Sequence, residues 1–128
     1  METRPRTSAI EIARRAFDAF NRSFAEGTND YFELLHEEVE WAPITALLDG
    51  ASYSGHDEVR DWIEDWRRDW AMYEIWSDEV HDLGEGRVLI FGTWHARGRR
   101  GGVQLSFAPG AWLIDVQGEK VTRSQTFT

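Results

Sequence analysis

Residues 73–97 read YEIWSDEVHDLGEGRVLIFGTWHAR, and here the apolar period of the chain becomes two. Gly84-Glu85-Gly86 interrupts the run with a short turn. Two strands joined by such a turn form an antiparallel hairpin. The same pattern continues downstream. Gly98 to Gly102 and Gln117-Gly118-Glu119 are further short turns, so strands are predicted over 73–83, 87–97, 103–116 and 120–128. Pro109-Gly110 predicts a bulge inside the third strand.

Upstream the period is that of a helix. Ser8 and Glu11 form a capping box. Ile10, Ala13, Phe17, Phe20 and Phe24 then share one face, and Gly27 supplies the stop. Helices are predicted at 8–26, at 28–36 and at about 56–71, the last capped by Ser54 with Asp57. Val39–Trp41 is a brief extended piece. Residues 42–54 form a loop rich in apolar residues, of the kind that folds over something. Helices followed by a meander imply an α+β domain with the helices on one face of the sheet. Residues 1–7 read as a disordered lead-in, and 8–128 as one domain.

Bulk composition narrows the function. The net charge is −9, so a nucleic-acid partner is not expected, since such partners require a basic face. There is no Cys, which excludes disulfides, thiolate metal sites and cysteine catalysis. No apolar run reaches the ~20 residues of a membrane helix, and the N-terminus lacks an apolar signal core. A cytoplasmic location is expected. Seven Trp, seven Phe and three Tyr suggest an aromatic wall or an oligomer interface.

Register proposes which side chains line a pocket. Pairing Gly84 with Arg87 sets His81 opposite Ile90, Glu79 opposite Gly92 and Ser77 opposite Trp94. The more apolar face of this hairpin, assigned to the concave side, then carries Ile75, Ser77, Glu79, His81, Val88, Ile90, Gly92, Trp94 and Ala96. Phe107, Trp112, Arg123, Gln125 and Phe127 extend it. His81 with Glu79 is the candidate acid–base pair; the alternative is a satisfied strand histidine near the sheet's end, with Glu79 paired to an arginine. Gly92 opposite Glu79 would leave room for a ligand. Tyr53 is a candidate donor to a substrate oxygen, or a packing residue. Arg123 needs an anion, either Glu79 or a ligand. Trp41, Trp62, Trp66, Trp94 and Trp112 converge as an aromatic wall. Trp76, Phe91 and His95 fall on the opposite, convex face. Metal, phosphate-loop and serine-hydrolase motifs are absent, so no cofactor is expected.

Four stretches carry a family resemblance: His36–Trp41 (HEEVEW), Tyr53–Arg60 (YSGHDEVR), Asp82–Val88 (DLGEGRV) and Arg97–Val103 (RGRRGGV). They resemble motifs of the nuclear-transport-factor-2-like superfamily, the cystatin-like α+β cone, and within it the SnoaL-like branch. The resemblance implies three N-terminal helices on a curved, mainly antiparallel four-stranded sheet around an internal pocket. It also implies a homodimer through the convex face. Gln117-Gly118-Glu119-Lys120 departs from the family's usual turn, and the chain stops at Thr128 where members usually continue, so one end of the pocket is expected to be open. The fold hosts many chemistries. The expected function is binding of a small apolar or aromatic compound. Isomerase, cyclase or dehydratase chemistry on a carbonyl compound, a non-catalytic binding or interaction module, and an epoxide hydrolase remain open.

Overall fold

The structure, a computed structural model, describes residues 8–127, apart from the side chains of Phe107 and Ala108. The lead-in at 1–7 and Thr128 lie outside the described residues.

Helix α1 spans Ala9–Glu26. The Ser8 hydroxyl accepts the Glu11 N–H at 3.1 Å, and Gly27 closes the helix at φ 72°, where a side chain would be strained. Helix α2 is one turn, Asp30–Glu33, and the chain is already extended from Leu35 in strand β1, Leu35–Ala42. The predicted second helix is therefore shorter, because Leu35 and Val39 enter the core as strand residues. The apolar loop contains a further turn of helix, α3, Ala46–Asp49, and a short strand, β2, Tyr53–Ser54. Helix α4 is Gly55–Asp69. Its expected Ser54 side-chain cap is absent. Glu58 instead accepts the Ser54 N–H, and the Ser54 hydroxyl donates to Glu40.

Strands β3 (Trp70–Gly84), β4 (Arg87–Gly98), β5 (Gln104–Gln117) and β6 (Lys120–Phe127) form the expected meander. The sheet order is β2-β1-β6-β5-β4-β3, with β1 parallel to β6 and the other neighbours antiparallel. Helix α1 packs across β3 to β6, and α4 packs against β1, β2 and β3. The α+β class holds. The sheet gains β1 and β2, because the piece around Val39–Trp41 pairs with both Ser124 and Tyr53.

The register differs from expectation in two strands, each time by a bulge. Gly84 does pair with Arg87 across a turn with positive φ at Glu85 and Gly86. Leu83 is then unpaired, and Asp82 faces Val88, His81 faces Leu89 and Glu79 faces Phe91. A second irregularity at Asp78 restores the phase, so Ser77 faces Gly92 and Ile75 faces Trp94. Between the bulges, Val80 turns inward while Glu79 and His81 turn outward. In β6 Thr122 is the extra residue: Asp115 faces Arg123 and Val116 faces Val121. Ser124 and Thr126 are consequently buried, while Arg123 and Phe127 are exposed on the convex side and Gln125 is half-buried. The bulge expected at Pro109-Gly110 is present, with Gly92 facing Gly110 and Trp94 facing Phe107.

Candidate functional site

Aromatic side chains from every layer meet inside the cone. From α1 come Phe17 and Phe20, from α2 Tyr31, from β1 Trp41, and from α4 Trp62 and Trp66. Trp70 and Tyr73 follow at the start of β3, Trp94 comes from β4 and Trp112 from β5. The four-residue spacing of Trp62, Trp66 and Trp70 stacks them in a row. Trp62 and Trp66 lie 5.0 Å apart and nearly parallel, and Trp66 and Trp70 lie 5.6 Å apart.

These rings leave two chambers. The inner one, between Phe17, Tyr31, Trp41, Trp62 and Trp112, has a volume of about 30 Å³. That is room for a water molecule or two at most. The outer one, about 140 Å³, is bounded by Trp66, Trp70, Tyr73, Trp94, Ala96 and Leu105, with Ile44, Thr45 and Leu48 of the apolar loop across it. Ile44 and Tyr73 border both chambers. The loop is held there by the Trp62 indole N–H, which donates to the Thr45 hydroxyl at 3.0 Å. Leu48, 91% exposed, forms the outer rim.

The polar groups of the chambers are neutral. The Trp41 indole N–H donates to the Tyr31 phenol at 2.9 Å, and the Trp94 indole bonds the Tyr73 phenol. Burial pushes both phenols well above the ordinary tyrosine range, and the indole donors only partly oppose it. Ser124 and Thr126 add hydroxyls to the inner wall. No Asp, Glu, His, Lys or Arg lines either chamber among the described residues. Such a site excludes water from an apolar guest and offers it ring faces and edges. It offers no group to take a proton.

The expected site residues divide accordingly. Trp41, Trp62 and Trp112 line the inner chamber, and Trp66 and Trp94 the outer one. The Phe107 side chain lies outside the description. Tyr53 packs its ring against Trp41 at 6.4 Å and borders neither chamber. Glu79 and His81 are 3.4 Å apart, but both are exposed on the convex face, where His81 meets the Phe91 ring. Their inward placement is corrected by the bulges at Leu83 and Asp78. Asp78 and Thr93 are hydrogen-bonded to each other on that same convex side. The volume expected beside Gly92 is filled: a Cβ there would meet the Trp76 carbonyl oxygen at 2.1 Å. Arg123 bonds Gln125 at 3.2 Å beside an open groove of about 550 Å³ that also touches Glu40 and Leu47. Neither Arg123 nor Gln125 reaches the chambers, because Thr122 shifts the strand. The register reading finds neither Tyr31 nor Tyr73, while the four-residue steps place Trp70 on the same inward helix ridge as Trp62 and Trp66. Tyr73 has the parity of Ile75 and could have been found from it.

Among the described residues no group of three or more His, Asp or Glu gathers that could hold a metal ion. No helix of the described residues is long and apolar enough to cross a membrane.

No protein-family model and no curated protein matches the sequence. Solved structures do match. An NTF2-like protein of unknown function from Burkholderia pseudomallei superposes with TM-score 0.76 at 20% identity, covering 95% of this chain and 91% of that one. A protein assigned to the SnoaL-like polyketide cyclases, from Shewanella putrefaciens, gives 0.74 at 14% identity, covering 96% and 90%. TerC, co-crystallised with polyporic acid, gives 0.76 at 19%, covering 94% and 91%. Identities this low speak for the fold alone. The chain has the fold of the NTF2-like proteins, and the solved structures that superpose on it include a SnoaL-like polyketide cyclase.

Proposed function

We propose that the chain is a binding module for a small apolar ring compound, held in the outer chamber between Trp66, Trp70, Tyr73 and Trp94. The observation that carries this reading is the chamber itself: about 140 Å³, bounded by aromatic and aliphatic side chains with no ionisable group. Its volume is that of a benzene-sized guest, and its lining is apolar and aromatic. TerC, of the same fold, was co-crystallised with a small molecule, polyporic acid.

Isomerase, cyclase and dehydratase chemistry each need a proton acceptor at the substrate. The described lining supplies only neutral hydroxyls, the phenols of Tyr31 and Tyr73 held protonated by burial and the alcohols of Thr45, Ser124 and Thr126. An epoxide hydrolase of this fold would need carboxylates in the pocket, and the described lining has none. The binder is therefore the reading that the site chemistry favours.

The same reading includes a homodimer in the cytoplasm, paired through the convex face. Trp76 is 53% exposed there and stacks on His95 at a centroid distance of 3.9 Å. A large ring left in water on the convex face of the edge strand β3 favours a partner.

Thermal denaturation with and without toluene tests the chamber. A guest that binds only the folded state raises the melting temperature in proportion to occupancy. A saturable rise supports the reading. No rise at the solubility limit of toluene contradicts it.

A further inference from the structure

The turn between β4 and β5 carries Arg99 and Arg100 and adjoins strand residues that border the outer chamber, while Arg97, next to the inward Ala96 in β4, points to the opposite face. Ala96 and Leu105 are paired across this hairpin and both border the chamber. Gly98 is paired with Trp70, another wall residue. Arg99 fastens the turn to the end of α4. Its backbone N–H donates to the Asp69 carbonyl at 3.1 Å, and its Nε donates to the Arg67 carbonyl at 2.8 Å. Arg67 directly follows Trp66, and Asp69 directly precedes Trp70. The guanidinium is thus fixed at its base beside two chamber walls, with its remaining N–H donors unengaged among the described residues.

The neighbouring charges are otherwise accounted for. Arg68 is paired with Asp65 at 2.9 Å. The Arg67 guanidinium lies against Gly27, at the carbonyl end of α1. Asp69 gives Arg99 its backbone carbonyl, and no carboxylate pairs with Arg97, Arg99 or Arg100 among the described residues. An unpaired cluster of arginines is unexpected in a chain of net charge −9 that has 23 acidic residues against 14 basic ones. Guanidinium groups favour planar anions, which they bind through parallel N–H donors.

We propose that the ligand is an amphiphilic anion: an aromatic or other apolar ring that fills the outer chamber and bears a carboxylate or enolate on a short arm reaching Arg99 and Arg100 at the β4–β5 turn. This rests on the binding reading above. It divides recognition in two, with burial of the ring giving affinity and Arg99, supported by Arg100, selecting charge.

Phenylacetate and its neutral analogue phenylacetamide, with toluene as the ring alone, are titrated into the full chain by tryptophan fluorescence at low salt. Phenylacetate is expected to bind about tenfold more tightly than phenylacetamide, the factor of one charge-assisted hydrogen bond. High salt and Arg99→Gln should both remove that advantage and leave phenylacetamide binding unchanged. Arg100→Gln removes no hydrogen bond among the described residues. It should also reduce the advantage, and it serves if Arg99→Gln fails to fold. If phenylacetamide binds as well as phenylacetate, or the advantage survives both variants, the anion proposal is overturned while the chamber reading stands. If none of the three compounds binds, both fall.

Discussion

The indole N–H of Trp41 donates to the phenol oxygen of Tyr31 at 2.9 Å, and both side chains are buried. Tyr73 and Trp94 repeat the arrangement at the outer chamber. Each pair places a polar atom inside an aromatic core with its partner beside it, which is how burial of such atoms is tolerated. Each also makes the fold sensitive to alkali.

Stability should fall above about pH 10. Burial raises both phenols, so the folded chain keeps protons that the unfolded chain releases near the ordinary tyrosine value. Below that value both states hold them, and these groups add no pH dependence. Above it the unfolded state binds fewer protons, and each tyrosine costs about 1.4 kcal/mol per pH unit. Denaturant unfolding between pH 8 and about 11 measures the slope. Tyr31→Phe should remove one share of it. At neutral pH the same variant should lose about 1–3 kcal/mol, because the Trp41 N–H is left unpaired.

Gly92→Ala should destabilise the chain by about 3 kcal/mol or more. The new Cβ would meet the Trp76 carbonyl oxygen at 2.1 Å, and a backbone atom cannot rotate away. Chemical denaturation checks this. A loss below about 1 kcal/mol would mean that β3 and β4 cross less closely than described.

His81→Ala and Glu79→Gln should each change stability by no more than about 0.5 kcal/mol, and neither should alter ligand binding. Their ion pair is 3.4 Å long, with both side chains more than half exposed. Reduced toluene binding in either variant would return these residues to the site.

Trp76→Asp should shift the chain toward its monomer mass of 14.8 kDa in light scattering. An unchanged mass would remove Trp76 from the interface.

Legibility in the sequence followed the physics of each signal. Ser8 with Gly27 bounded α1, because caps act locally. Gly84 to Gly86 located the β3–β4 turn, because positive φ restricts the residue types allowed. Of the three misplaced residues of greatest interest, Glu79 and Arg123 lie next to a bulge and His81 lies between two. Leu83, Asp78 and Thr122 are ordinary strand residues, and nothing in their chemistry marks an unpaired position. One such residue turns every following side chain to the other face. Pro109-Gly110 was readable because it carries such a mark. The aromatic wall survived these slips, because its residues come from many elements. The division into two chambers was not readable, since it depends on how Ile44 folds back across Tyr73.

The central claim is that the outer chamber holds an apolar ring, and it is tested most directly by filling the chamber from within. Ala96 is 3% exposed and forms part of the wall. Ala96→Leu adds branched aliphatic volume where the guest would sit. Toluene titrated into wild type and variant, followed by tryptophan emission, should quench the wild type saturably and the folded variant at least about tenfold more weakly, a difference of about 1.4 kcal/mol. Equal saturable quenching in both proteins, or none in the wild type, would contradict the claim.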